Sequence, residues 1–148
     1  MWNEFLSVAI DKAGEEGLRE KLQSLLPLVN EIDAYEKSFI RRINESKLAR
    51  GEGITQLSEE EKEEIAEYDR DAEEINHEVN DSLKQLSSAT EILRILRSTL
   101  VSEIKRREVE LGYYHPAERG IGEEGIALYQ SLLQHLDDVL TYARDARN

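Results

Sequence analysis

One loop, residues 112–120, holds the side chains of this sequence that are best suited to bind a ligand. It contains Tyr113, Tyr114, His115 and Arg119. An imidazole and a guanidinium beside two phenol rings suit an anionic or peptide ligand, and loops on rigid scaffolds often carry function. Catalysis would need a nucleophile, a second carboxylate or oxyanion donors beside the histidine, and the sequence places none there. The open alternatives are a partner-binding loop and a turn between helices with aromatic packing.

A metal centre is the next chemistry that the spacing suggests. Glu74 and His77 form a Glu-x-x-His pair, the spacing at which carboxylate-bridged metal bundles present two ligands on one helix face. Such a centre needs a second pair, and neither His115 nor His135 follows a glutamate at that spacing. The glycines of residues 120–125 lack the preceding strand and following lysine of a phosphate-binding loop. We therefore predict a solvated helix face and neither metal nor cofactor.

Acidic residues dominate the segment from residue 52 to residue 81. It carries thirteen acids and two bases, a net charge of −11 out of −13 for the chain. Nucleic acid is not an expected partner, because phosphate binding needs clustered lysine and arginine. One interpretation is a mimic of nucleic acid that presents Glu60, Glu64, Asp71 and Glu78 to a basic cleft. The other is a solvated helix face whose charge is matched by bases on the preceding helix.

The elements that position these residues are predicted from hydrophobic spacing, glycine and proline. Apolar residues recur at three and four along four segments, so we predict helices at about residues 2–13, 15–50, 59–111 and 122–147. The second segment has a seam of apolar residues that includes Phe39 and Ile43, with Glu36 as its one polar residue. Pro27 lies inside this segment and predicts a kink or a break near Leu25, because it removes a backbone hydrogen bond. No alternating pattern bounded by turn residues occurs, so strands are not expected.

The third predicted helix organises the fold. At 1.5 Å per residue a helix over residues 59–111 would span roughly 80 Å, and a heptad seam runs from Ile65 to Leu100. We predict one all-α domain, an elongated antiparallel helical bundle or coiled-coil hairpin built on this helix. Because the first helix is short, the apolar surface from Leu86 to Leu100 is expected to be covered partly by a second subunit. A homo-oligomer is therefore predicted.

Composition narrows the classes of protein further. The chain has no cysteine, which excludes disulfides, thiolate zinc sites and cysteine nucleophiles. Its first residues do not form a basic stretch followed by an apolar run, so they do not predict a signal peptide. No apolar stretch approaches the ~20 residues that span a bilayer. These observations predict a cytoplasmic protein without contact with membranes.

The predicted function is a non-enzymatic protein–protein interaction module, such as an adaptor, a chaperone-like protein or a small subunit of a complex. It would act through helical faces, and its partner would be another protein or a second copy. Aromatic and arginine side chains anchor many interfaces, so we predict contacts through Trp2, Tyr113, Tyr114, His115 and Arg119. The acidic inhibitor described above and a carboxylate metal-binding bundle remain as alternatives.

Overall fold

The computed structural model describes residues 2–52 and 88–145, together with isolated positions between residues 63 and 85. The described residues form helices and contain no strand. The predicted all-α fold is thereby confirmed for this part of the chain. Its five continuous helices are α1 (Trp2–Lys12), α2 (Glu16–Gln23), α3 (Leu26–Ala49), α4 (Ala89–Leu111) and α5 (Arg119–Asp145).

The kink or break predicted near Leu25 is a short interruption between two helices, at which Ser24 and Leu25 keep right-handed helical backbone angles. Helix α2 ends at Gln23, and α3 begins at Leu26 with Pro27 in its first turn. Proline is tolerated there because the first amides of a helix have no intrahelical partner, and its fixed φ angle suits a helix start. The predicted helix over residues 15–50 is therefore two helices that meet at Ser24 and Leu25.

The predicted single helix over residues 59–111 is also wrong at one point. Ser88 has an extended backbone, with φ −144° and ψ 152°, and its hydroxyl accepts a hydrogen bond from the Glu91 amide at 3.3 Å. This is an N-cap, so α4 begins at Ala89, although it ends at Leu111 as predicted. The apolar period continues across the cap and hides it, whereas Ser87 and Ser88 were the signal for a helix start.

The acidic segment is described only at isolated positions. Those from Glu63 to Ser82 are helical, Gln85 lies in a turn, and all of them are exposed. The apolar seam residues of this segment lie outside the described residues; they are Ile65, Tyr68, Ala72, Ile75, Val79 and Leu86. The predicted antiparallel hairpin, which uses residues 59–88 as one arm, stays a prediction for that reason.

Four of the helices, α1, α3, α4 and α5, pack together as a bundle. Helices α3 and α4 lie on opposite sides, and each packs against both α1 and α5. The short helix α2 packs against α1 and α5. Every long helix turns one apolar stripe inward, as the three-four spacing predicts. The most buried aliphatic side chains are Leu6, Leu22, Ile32, Ile92, Leu93, Leu96, Leu100, Leu132 and Leu136.

The described part of the apolar surface that motivated a second subunit is covered within the chain. Leu93, Leu96 and Leu100 are fully buried, because α4 packs against α1 on one side and α5 on the other. These three residues therefore give no reason to expect an oligomer. Separately, no helix among the described residues combines the length and hydropathy needed to cross a bilayer.

A close approach between α3 and α5 yields a prediction about two glycines. A Cβ atom added at Gly125 would lie 2.5 Å from Cζ of the Tyr35 ring, whereas nothing lies within 4 Å of one added at Gly120. Alanine is the better helix former, so Gly120→Ala should raise the free energy of unfolding by roughly 0.4 to 1 kcal/mol. Gly125→Ala should lower it by roughly 1 to 3 kcal/mol through overpacking.

Urea unfolding followed by circular dichroism measures both changes. The two glycines belong to the same helix, so each variant is the control for the other. Equal effects of the same sign would contradict the close packing of Tyr35 against α5.

Candidate functional site

Helix α1 is too short to cover the whole length of its neighbours. It has 11 residues and α3 has 24, which correspond to roughly 16 Å and 36 Å. Its first residue, Trp2, lines a small cavity with Glu36 in the middle of α3. The hydroxyl of Tyr142, near the end of α5, donates to Glu15 just beyond α1 at 2.9 Å. Helix α1 therefore runs from the middle of the bundle to one end, and residues 37–49 of α3 extend past it.

A groove of about 210 Å³ lies at the end of the bundle that α1 does not reach. We call it the end groove. Helix α3 forms one wall, and the loop between α4 and α5 forms the other. Its lining consists of Phe39, Ile40, Ile43, Lys47, Arg50, Tyr113, Tyr114, His115 and Glu118.

The floor of the end groove is aromatic. The Phe39 ring centroid lies 5.8 Å from that of Tyr35 and 6.3 Å from that of Tyr114, at tilted angles. The Tyr114 ring also packs over Gly122, where an added Cβ would lie 2.8 Å from it. Such tilted pairs are favourable beyond the area that they bury. The aromatic chain therefore joins α3, the loop and the start of α5 into one rigid surface.

The rim of the end groove exposes large apolar side chains. Ile40 is 60% exposed and Tyr113 is 85% exposed. Single exposed apolar residues are ordinary on protein surfaces, whereas a contiguous apolar group marks a binding site. Here the two residues border a concave surface that is itself aromatic. The rim is therefore a surface that can bury apolar groups of a partner.

A buried ion pair fixes the loop against α3. Glu118 is only 3% exposed; its Oε1 accepts a hydrogen bond from the Nε atom of Arg50 at 2.9 Å and lies 2.8 Å from an Nη atom of the same guanidinium. A buried carboxylate is costly unless a hydrogen-bonded cation compensates it, and the fork of arginine does so at two points. Arg50 also binds Glu52. The pair therefore holds the two walls of the groove together.

His115 lies over the second oxygen of that carboxylate. Its Nδ1 atom accepts a hydrogen bond from the Ala117 amide at 3.0 Å and is 3.4 Å from Oε2 of Glu118. Oε2 is buried and has no hydrogen-bond donor among the described residues. The imidazole itself is about half exposed at the rim.

A polar cluster takes one residue from each of the helices α1, α3, α4 and α5. The Tyr129 hydroxyl donates to Glu36 at 2.8 Å and accepts from the Trp2 indole at 3.2 Å. Arg107 binds the same glutamate, and its guanidinium lies 4.4 Å from the Tyr129 ring centroid. Burial, with the nearby Glu36 carboxylate, raises the pKa of Tyr129. Glu36, the polar residue of the predicted α3 seam, is thus an internal acceptor.

The structure brings together three of the five predicted contact residues. Tyr113, Tyr114 and His115 line the end groove, whereas Arg119 is exposed at the start of α5 and is not part of the lining. Trp2 is 9% exposed and packs between α1 and α5, so it offers no free ring to a partner. Its burial follows from the Tyr129 hydroxyl, which gives the indole N–H an internal acceptor.

Sequence reasoning missed the wall that α3 contributes. Phe39 and Ile43 belong to the predicted seam of the second helix and were assigned to the core, while Ile40 and Lys47 were not considered for a site. The available signal was the mismatch in length between a short first helix and a long second one. A short neighbour leaves part of a seam uncovered.

The predicted acidic and metal-binding residues are described only in part. Glu60, Glu64 and Asp71 lie outside the described residues, and Glu78 is helical and exposed. Bases of α3 that were expected to face these acids have other partners: Arg42 binds Glu124 of α5 at 2.6 Å.

The Glu-x-x-His pair, for which the sequence predicts a solvated helix face, lies at described positions. Glu74 and His77 are helical and exposed. Within the described part of the chain, no three side chains of the metal-binding types come together.

A larger cavity of about 550 Å³ lies at the opposite end of the bundle, between α4 and α5. Arg94, Arg97 and Arg144 line it, so it is basic. Its charged groups are partly engaged within the chain: Arg97 binds Asp137 at 2.6 Å, and Arg144 also has a partner. The end groove is the stronger candidate because two large apolar side chains, Ile40 and Tyr113, are exposed at its rim.

Comparisons with protein-family models, with curated proteins and with solved structures found no match for this chain. The function proposed below therefore rests on the geometry of the end groove alone.

The ion pairs that Glu103 forms with Arg106 and Arg107 on α4 predict how stability depends on pH. Burial favours a higher pKa for Glu103, but hydrogen bonds from Arg106 and Arg107 outweigh it and leave the pKa below its usual value. A lowered pKa in the folded state stabilises the fold above the unfolded pKa, and this contribution is lost as pH falls through the folded pKa. Glu103→Gln should therefore destabilise the protein at neutral pH and much less at about pH 3.

Urea unfolding at the two pH values measures this difference. Glu108→Gln is the matched control, because Glu108 is exposed on the same helix. A Glu103→Gln effect that is equal at both pH values would contradict the ion-pair origin of the stabilisation.

Proposed function

We propose that this protein is a non-catalytic interaction module that binds a segment of another protein in the end groove. The observation that carries the proposal is the exposure of Ile40 and Tyr113 at the rim of a concave aromatic surface. Burying one such side chain contributes roughly 1.5 to 3 kcal/mol. Two anchors in one groove are typical of interfaces in which a few residues provide most of the affinity.

The polar groups of the groove favour binding over catalysis. The Glu118 carboxylate is paired with Arg50, and its buried position beneath His115 removes it from a ligand. The described lining contains no serine, threonine or cysteine that His115 would activate. We therefore assign the charged residues of the groove to structure and specificity. An adaptor, a chaperone-like protein and a small subunit of a complex all fit this proposal.

The proposal extends to two further points that the sequence suggested. We place the protein in the cytoplasm, in line with the lack of cysteine. The homo-oligomer that the sequence predicted stays a prediction. Size-exclusion chromatography with light scattering separates a 17 kDa monomer from a dimer.

A second candidate function is an acidic inhibitor that blocks a basic cleft of a nuclease or a nucleic-acid-binding protein. It is favoured by the exposure of every described position between residues 63 and 85, among them Glu67, Glu74 and Glu78. Replacing these three glutamates by lysine should abolish such inhibition and preserve helicity in circular dichroism. Inhibition that survives the replacement would exclude the mimic.

Photo-crosslinking tests the proposed function directly. A photoreactive amino acid at position 40 should crosslink to a partner protein in the source cell, because that side chain lies at the rim of the groove. The control is the same amino acid at Ile95, which is 41% exposed on α4 and does not line the groove. Mass spectrometry of the crosslinked peptides identifies the partner segment.

The comparison between the two positions decides the outcome. A partner peptide joined to position 40 and absent from position 95 is the expected result. Equal labelling at both positions, or none at position 40, would exclude the end groove as the binding surface.

A further inference from the structure

The position of helix α1 next to the end groove indicates what kind of segment the groove binds. Helix α1 packs between α3 and α4 as one member of the bundle, and its first residue is Trp2. Beyond that point α3 continues for residues 37–49, a length of roughly 20 Å. A helix of about 13 residues would fill this space end to end with α1. The bundle would then have four helices along its whole length.

The wall of the groove has the pattern of a surface that receives a helix. Ile32 and Glu36 line the boundary with α1, and Phe39, Ile43 and Lys47 follow on the same face of α3 at spacings of three and four. Residues at these spacings form the ridges against which a second helix packs. The part of the chain that the structure describes has no sheet edge to which an extended peptide would add. The surface therefore favours a helix over an extended segment.

The charge of the rim selects the chemistry of that helix. Arg42 and Arg50 are paired with glutamates of this chain. The Lys47 side chain lies exposed in the lining and has no ion pair with any residue that the structure describes. An acidic side chain on the occupant would meet the Lys47 ammonium, and complementary charge of this kind gives specificity.

The same charges argue against a second copy of this chain. In a two-fold dimer the same patch meets itself, so each copy would bring an unpaired Lys47 to the contact. The one carboxylate in the described lining of the groove, Glu118, is buried and paired with Arg50, so it would not neutralise that charge. A different protein with acidic residues would neutralise it.

Resting on the function proposed above, we infer that the end groove binds an amphipathic, acidic helix of another protein. Its apolar residues at spacings of three and four contact Phe39, Ile40 and Ile43, and a carboxylate of the helix pairs with Lys47. The helix lies in line with α1 and completes the bundle.

A displayed library of helical peptides of about 14 residues is the probe. Selection on the full-length protein should enrich apolar residues at spacings of three and four and an acid at one fixed position. Ile40→Ser should weaken binding of the selected peptides about 10-fold or more, since it removes a buried anchor. Lys47→Glu should shift the enriched acid to lysine or arginine. Ile95→Ser is the control and should change neither the affinity nor the selected sequences.

Both groove substitutions are at exposed positions, so circular dichroism should show an unchanged fold. Trp2 is the single tryptophan and is buried against Tyr129, so an unchanged fluorescence spectrum is a second check that the fold is intact. Enrichment of extended or basic peptides would overturn the inference. So would an enriched helix that ignores Lys47→Glu, or a dimer of this chain that Ile40→Ser dissociates.

The inference and the proposed function fail in distinguishable ways. A crosslink from position 40 to an extended or basic segment of another protein would retain the function and reject the acidic helix. The absence of any crosslink at position 40, together with no selected peptide that responds to Ile40→Ser, would reject both.

Discussion

The contact on which the rest of this structure depends is the cluster around the Tyr129 hydroxyl. Four helices each contribute one residue to it, namely Trp2, Glu36, Arg107 and Tyr129. Buried polar groups are costly when they lack partners, so sliding one helix along another would leave several of them unsatisfied. The cluster therefore fixes the mutual register of the helices. It also fixes the position of α1 along α3, because the indole must reach the hydroxyl.

The end groove follows from that register and from a second polar contact. The Glu118 and Arg50 pair joins the loop to the end of α3, and the aromatic residues Phe39 and Tyr114 fill the space beneath. Side chains held by ion pairs and ring packing lose little freedom when a partner binds, which lowers the cost of association. The groove is thus preformed, and its apolar rim is exposed because no helix of the described chain covers it.

Much of the fold was predictable because helices are encoded locally. Three-four spacing predicted the inward faces, and residues such as Leu96 and Leu136 are buried as that spacing requires. Pro27 predicted the break, and the end at Leu111 was correct. The long helix was wrong at Ser88 because an apolar period can run through a capped helix start. Tyr113, Tyr114 and His115 were found as candidates from their composition alone, whereas the α3 wall was not.

The sequence by itself determined the all-helical class, most helix boundaries and the loop that forms one wall of the groove, since backbone propensity and side-chain period are properties of neighbouring residues. Only the tertiary structure decided which apolar residues are covered. Trp2 is buried and Ile40 is exposed, although both are apolar residues on helices. Their different exposure depends on the lengths of α1 and α3 and on the polar contacts that set their register. Those contacts join residues far apart in the chain, and no local pattern contains them.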